Sequence, residues 1–146
     1  MHYKITYHAM AWELDYCLQS FTQLKKSKYY LSDEDTIELD ICLNLSSYLI
    51  DWDKSKLNKD LLKTRFLEYL KLLKDYKVNA TIYEGSKLYG HLDSQRSAIS
   101  KEIDFYINIC PDMYFSEQLL ALIIQSSKQI KNTYFVITPE ISKMWD

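Results

Sequence analysis

Residues 37–45 read Ile37-Glu38-Leu39-Asp40-Ile41-Cys42-Leu43-Asn44-Leu45, and they contain the cleanest strand pattern in the sequence. Every second side chain in it is aliphatic, which is the two-residue period of a β-strand. Stretches with helical periodicity lie on both sides of it, at about residues 12–30 and 58–76. A strand between two helices of this length is typical of a parallel sheet that is covered by helices.

The same two patterns extend along the chain in both directions. Further strands are predicted at residues 3–9, 79–83, 103–109 and 134–137. A third helix is predicted at 117–131 with Ser116 as its N-cap, and Asn58 is the predicted N-cap of the preceding helix. Loops are predicted where the apolar period is lost, at residues 46–56 and, with one helical turn, 84–101. This order predicts a three-layer α/β fold, a mostly parallel sheet with helices on both faces.

Length and composition fit a single globular domain over residues 1–146. A chain of 146 residues can bury a core, and 47% hydrophobic with 26% charged residues is ordinary for a folded domain. Only two glycines are present, which excludes a Gly-rich phosphate loop. A net charge of -2 without a basic run argues against nucleic acid as a partner.

The cysteine pattern and the hydropathy predict a cytoplasmic protein. Cys17, Cys42 and Cys110 are far apart and odd in number, which argues against a disulfide framework and for a reducing compartment. No apolar run approaches the roughly 18 residues that a transmembrane helix needs. The N-terminus lacks a basic segment followed by an apolar one, so no signal peptide is predicted.

Four segments that follow predicted strands form the candidate binding region. Ligands of open α/β sheets bind outside the carboxyl ends of the strands. That rule selects the segments His8–Trp12, Asn44–Asp53, Tyr83–Arg96 and Cys110–Tyr114. In the second segment, Asp51 and Asp53 are candidates to approach a ribose or a base, and the alternative is an ordinary solvated loop.

Asp112 lies between a predicted strand and a predicted helix, in the turn Cys110-Pro111-Asp112-Met113-Tyr114-Phe115. A carboxylate there can bind a divalent cation that bridges two phosphates, because Mg²⁺ is usually held by one or two carboxylates together with substrate phosphates. The alternative is a structural role, in which Asp112 helps to cap the following helix and complements its dipole.

A second candidate is the segment Gly90-His91-Leu92-Asp93-Ser94-Gln95-Arg96. Gly90 permits an unusual backbone angle, and Arg96 can bind a phosphate or a carboxylate through two parallel hydrogen bonds. The alternative is an exposed helical turn with an Asp93–Arg96 ion pair, worth about 0.3–0.5 kcal/mol.

Together, these two segments resemble the metal-site region of nucleotide-sugar glycosyltransferases with the A-type fold, family 2 in particular. In that family, a strand ends in a short acidic motif that holds Mn²⁺ or Mg²⁺ against the sugar-nucleotide diphosphate. A Gly-rich, Arg-containing segment often precedes that strand. The motif-like match covers about residues 83–137.

The resemblance implies a ligand set, a donor and a cofactor. It implies Asp112 as the metal ligand and Mn²⁺ or Mg²⁺ as the cofactor. The implied partners are a nucleotide-diphosphate sugar and an acceptor of unknown identity. The implied donor-binding residues are His8, Met10, Asn44, Asp53, Gly90, Asp93 and Arg96.

The chain departs from the family pattern in two respects. Cys110 stands where the first motif carboxylate is expected, and a thiol is a poor ligand for Mg²⁺ or Mn²⁺. The acceptor-binding half and the catalytic base of the family lie downstream of the region that these residues match. We therefore expect residues 1–146 to be the N-terminal, donor-binding part of a longer glycosyltransferase-like domain, which alone binds nucleotide-sugar poorly and turns nothing over.

Two other functions stay open. The first is a non-catalytic α/β binding or assembly module in which Asp112 serves only as a cap. The second is a nucleotidyltransferase-like enzyme, a class that usually needs two neighbouring carboxylates. Asp104 and Asp112 are the nearest pair, and an extended strand between them keeps them too far apart to share one ion easily.

Overall fold

The computed structural model describes residues 1–47 and 58–130, which form an α/β fold. The strands are β1 (His2–Met10), β2 (Thr36–Asn44), β3 (Lys77–Tyr83) and β4 (Phe105–Ile109). The helices are α1 (Leu14–Ser27), α2 (Lys59–Leu70), α3 (His91–Ser97) and α4 (Leu119–Lys128). Short 3-10 turns extend two of the helices: Ala11–Glu13 before α1, Lys28–Tyr30 after it and Lys71–Leu73 after α2. Within the described ranges, no helix has the length and apolar character that crossing a membrane requires.

The four strands form one sheet in the order β3-β2-β1-β4, and every pairing in it is parallel. β1 lies between β2 and β4, so that Tyr3 aligns with Ile37 on one side and with Phe105 on the other. The chain adds strands in one direction from β1 to β3 and then returns to the far side of β1 for β4. The point of reversal, between β1 and β4, is where open parallel sheets bind their ligands.

One face of the sheet is apolar and carries the core. It presents Tyr3, Ile5 and Tyr7 from β1, and all three are buried. α1 packs here through Phe21, whose ring lies 5.4 Å from the ring of Tyr7. α4 covers the same face, since the Tyr3 hydroxyl lies 2.8 Å from Ser127 Oγ. The apolar side chains at every second position of the strands therefore pack on this face against the apolar sides of the helices.

The opposite face of the sheet is polar. Lys4, Thr6 and His8 alternate with the core residues of β1, and all three are buried. Lys4 Nζ lies 3.5 Å from an Asp40 carboxylate oxygen, and it donates a hydrogen bond of 2.9 Å to the carbonyl of Ala98, just beyond α3. Because α3 covers this second face, the predicted three-layer arrangement with helices on both faces of a parallel sheet is confirmed.

The predicted helices are confirmed, with shifts at their ends. The helix predicted at residues 58–76 is shorter in the structure, because α2 ends at Leu70 and continues only as a 3-10 turn through Leu73. Asn58 is its N-cap, as predicted: its Oδ1 accepts a hydrogen bond of 3.2 Å from the Leu61 amide. The prediction that Ser116 caps the third helix is wrong, because α4 begins after Gln118.

The loop predicted at 84–101 contains a longer helix than the single turn expected. α3 spans seven residues, and its start is fixed by Asp93, whose carboxylate accepts a hydrogen bond of 2.9 Å from the Gly90 amide. Its apolar residue Leu92 faces solvent, so the helix lacks the buried stripe that sequence patterns detect. The predicted strand at 134–137 and most of the loop at 46–56 lie outside the described residues.

Candidate functional site

The turn Cys110–Phe115 lies beside the end of β1, where the strand order reverses. β4 pairs with β1 over its whole length, and this turn follows it directly. α1 fixes the turn: Ser20 Oγ donates to the carbonyl of Pro111 at 3.5 Å, and Gln23 Nε2 donates to the carbonyl of Phe115 at 2.8 Å. Both donors are buried, so the turn has a defined position at the carboxyl edge of the sheet.

Asp112 is an exposed carboxylate in this turn. It makes no hydrogen bond and no ion pair to the residues that the structure describes. The alternative role as a cap is wrong, because α4 starts only at Leu119 and the field of a helix terminus falls off within about one turn. Asp112 therefore does not cap α4, and its role as a cation ligand stays a prediction.

Cys110 is not an anionic ligand at this edge. Its Sγ accepts a hydrogen bond of 3.7 Å from Asn108 Nδ2. Partial burial, and after it the neighbouring Asp112 and Glu13 carboxylates, raises the pKa of the Cys110 thiol. The thiol therefore stays protonated at neutral pH, whereas metal ions bind the thiolate.

The described residues include no group of three or more His, Cys, Asp and Glu side chains that could hold a metal ion. Asp112 supplies one hard oxygen ligand, and phosphate oxygens and waters commonly complete the coordination of Mg²⁺. The turn therefore fits a cation that arrives with a phosphate-bearing ligand. It does not fit a cation held by protein side chains alone.

His8 and Asn44, two of the predicted donor-site residues, meet at this edge but are buried, with 2% and 0% of their surface exposed. His8 Nε2 lies 3.2 Å from Asn44 Nδ2, and His8 Nδ1 lies 3.0 Å from Ser94 Oγ on α3. Burial, and after it the neighbouring His91, lowers the pKa of His8 to about 4, so its ring is neutral at pH 7. Ligand contact by these two side chains stays a prediction, and the geometry gives them a role in joining β1, β2 and α3.

The remaining predicted donor-site residues have different environments. Met10 ends β1, and its amide donates to Glu13 Oε1 at 3.0 Å. Gly90 has an extended backbone with φ of -121°, which any residue adopts, so the expected unusual angle is wrong. Asp53 lies outside the described residues.

Arg96 has an exposed side chain on α3. The alternative prediction of an Asp93–Arg96 ion pair is wrong within the described part of the chain, since Asp93 binds the Gly90 amide instead. The Arg96 guanidinium makes no hydrogen bond to any residue in that part. Its charge therefore remains available for an anionic ligand.

Tyr89 and Ser94 lie in the segment Tyr83–Arg96 that the sequence selected, but neither was named among the predicted donor-site residues. The Tyr89 ring stacks on Tyr83 with centroids 4.3 Å apart, and it lies 5.8 Å from the His8 ring. Ser94 binds His8 from α3. If residues 91–97 had been predicted as a helix, His91 and Ser94 would have been placed on one face of it. The helix was not predicted in full because it has no apolar stripe.

A cavity of about 280 Å³ opens on the polar face of the sheet, between β2, β3 and α3. Its hydroxyl groups come from Thr6, Thr81, Tyr89, Ser94 and Ser97. It also contains Asp40, whose carboxylate is engaged by Lys4 at 3.5 Å and by Asn79 at 3.0 Å. The volume is close to the lower end of the ~300–1,000 Å³ of typical ligand pockets, and the lining favours a small polar group.

Comparison of the chain with protein-family models gives no match, and neither does comparison with curated proteins. The exposed Asp112 carboxylate follows the strand that borders β1, and the exposed Arg96 side chain lies on the helix that covers the polar face of the sheet.

Proposed function

We propose that this chain binds a nucleotide-diphosphate sugar at the reversal point between β1 and β4, as the donor-binding part of a glycosyltransferase. The observation that carries the proposal is the placement of Asp112. Its carboxylate is exposed, lacks a partner among the described residues and follows the strand that borders β1. Ligands of open parallel sheets occupy this crevice.

A cation held by Asp112 and the positive charge of Arg96 would suit a diphosphate as the ligand. Asp112 would hold Mn²⁺ or Mg²⁺, and the cation would offset the negative charge of the diphosphate. The exposed Arg96 guanidinium supplies a second cationic group on α3, which packs over β1. The chain's own contribution is to bind and orient the donor, and the buried bonds from Ser20 and Gln23 hold the Asp112 turn in place.

The proposal is tested by thermal unfolding with millimolar uridine or guanosine diphosphate and Mn²⁺. A ligand at ten times its Kd stabilises the folded state by about 1.4 kcal/mol, which corresponds to roughly 3–5 °C in Tm for a chain of this size. We expect such a rise for the native chain with nucleotide and metal together. We expect most of it to be lost in Asp112→Asn.

Asp33→Asn is the matched control for this experiment. Asp33 is also an exposed carboxylate, but it precedes β2 and so lies at the amino edge of the sheet. This variant should retain the full nucleotide response. If the native chain shows no shift with either nucleotide, or if the two variants respond equally, the transferase proposal fails and a non-catalytic α/β binding or assembly module replaces it.

A further inference from the structure

We infer that His8 is a positioning residue: as a neutral imidazole with its hydrogen on Nδ1, it fastens α3 and the segment before it to the carboxyl edge of the sheet. His8 lies near the end of β1, is almost fully buried and contacts β2 and α3 at the same time. The consequence for ligand binding rests on the proposed function, whereas the fastening itself does not.

The orientation of the Asn44 amide is fixed by two backbone groups. The Ser46 amide can only donate, and it donates to Asn44 Oδ1 at 3.0 Å. The Tyr89 carbonyl can only accept, and it accepts from Asn44 Nδ2. Because Asn44 bridges β2 to residue 89, its nitrogen must be the atom that faces His8.

The direction of the remaining bonds follows from that orientation. The second hydrogen of Asn44 Nδ2 points to His8 Nε2, which therefore accepts, so the imidazole hydrogen lies on Nδ1 and is donated to Ser94 Oγ. The Ser94 hydroxyl then donates to the carbonyl of His91 at 2.9 Å. Every donor in this series of hydrogen bonds meets an acceptor. The series runs from Asn44 on β2 through His8 on β1 into the first turn of α3.

A protonated His8 does not fit this arrangement. Its Nε2 would carry a hydrogen that faces the Asn44 amide nitrogen, a second donor. Rotating the Asn44 amide would remove that conflict but break the buried bond from Ser46 and the partly buried bond to Tyr89, and it would leave those backbone groups unpaired.

The groups that face His8 do not favour a cation strongly. On α3, the His91 ring lies 4.8 Å away and disfavours the charge, while Asp93 favours it. On β2, burial keeps the Cys42 thiol neutral by raising its pKa to about 11, and Asp40 is already engaged by Lys4. Desolvation therefore dominates, and acid is expected to release α3 from the sheet.

The experiment measures the unliganded chain by NMR. Long-range ¹H–¹⁵N correlations of the His8 ring at pH 7 should show the neutral tautomer with hydrogen on Nδ1. Amide exchange in residues 91–97, corrected for intrinsic rates, should then rise about tenfold or more between pH 7 and pH 5. A ring with hydrogen on Nε2, a charged ring at pH 7 or protection that does not change with pH overturns the inference.

Ser94→Ala and Ser97→Ala form a matched pair for the same helix. Ser94→Ala removes the partner of His8 and should raise exchange in α3 severalfold at pH 7. Ser97→Ala removes a hydroxyl whose one hydrogen bond within the described residues is to the Ser94 carbonyl, and it should leave exchange within about twofold. If both variants behave alike, His8 does not hold the helix; if either one fails to fold, the tautomer and the pH dependence of the native chain decide.

The nucleotide measurement separates this inference from the proposed function. If the fastening is present and the donor binds, the Tm shift with nucleotide and Mn²⁺ should be smaller at pH 5 than at pH 7. If the native chain shows the expected tautomer and acid release but no nucleotide response at pH 7, the proposed function fails and the role of His8 stands.

Discussion

The imidazole of His8 is buried in the folded chain and hydrated in the unfolded chain. Burial lowers its pKa to about 4, against 6.5 for an unperturbed histidine. Between these two pH values the unfolded chain binds the proton more strongly, so the free energy of unfolding falls as the pH is lowered from 6.5 towards 4. Above about pH 7 the contribution no longer changes.

We predict that lowering the pH from 7 to 5 costs about 2 kcal/mol of stability through His8. Urea unfolding at the two pH values measures it. Glu38 interferes little, because the hydrogen bond from Lys77 lowers the pKa of its carboxyl from an already acidic value. His8→Asn removes the titrating group, so an equal pH dependence in this variant would contradict the assignment.

Residue type and position in the sequence indicated which side chains lie at the carboxyl edge of the sheet. They did not indicate which of these side chains are exposed to solvent. Asn44 was predicted to contact a ligand because it ends a strand, yet the carbonyl of Tyr89 and the His8 ring occupy its amide. Tyr89 is 45 residues away along the chain, so no local pattern reports this burial. Asp112, by contrast, is exposed and makes no hydrogen bond to the described residues.

At the scale of the elements, Asn58 gives a direct test of a sequence signal. Its side chain accepts a hydrogen bond from the Leu61 amide at the start of α2. We predict that Asn58→Ala lowers the free energy of unfolding by about 1 kcal/mol. Arg65→Ala, at an exposed position inside the same helix, should change it by less than about 0.5 kcal/mol. Chemical denaturation measures both, and equal losses would argue against a capping role.

The strands could be predicted because apolar and polar side chains alternate along them. The helix α3 could not be predicted from such a pattern. β1 and β2 carry a buried apolar side chain at every second position. α3 has no buried residue of its own among its seven, and hydrogen bonds from Gly90, His8 and Lys4 hold it at its ends and side. Polar contacts of this kind leave no period in the sequence.

At the scale of the whole molecule, Phe21 joins the layers of the core. It is 0% exposed, and its ring lies 5.4 Å from Tyr7 on the sheet and 6.5 Å from Phe66 on α2. We predict that Phe21→Ala destabilises the fold by about 3–5 kcal/mol, because it removes a buried ring and leaves a cavity.

Tyr29→Ala is the control for that prediction. Tyr29 is 87% exposed, and its loss should change the free energy of unfolding by less than about 0.5 kcal/mol. Thermal or urea unfolding distinguishes the two variants. A loss below 1 kcal/mol for Phe21→Ala would mean that α1, α2 and β1 do not share one core.

The amino-acid sequence was enough to predict the fold class, because period-two strands separated by amphipathic helices can bury their apolar sides only as a parallel sheet under helices. It also determined that polar residues follow each strand at the carboxyl edge. The folded structure was needed to reveal the strand order that puts the Asp112 turn beside β1, the helix on the polar face and the burial of His8 and Asn44. These features depend on pairings between residues tens of positions apart, and the free energy of such long-range contacts is not expressed in any local pattern.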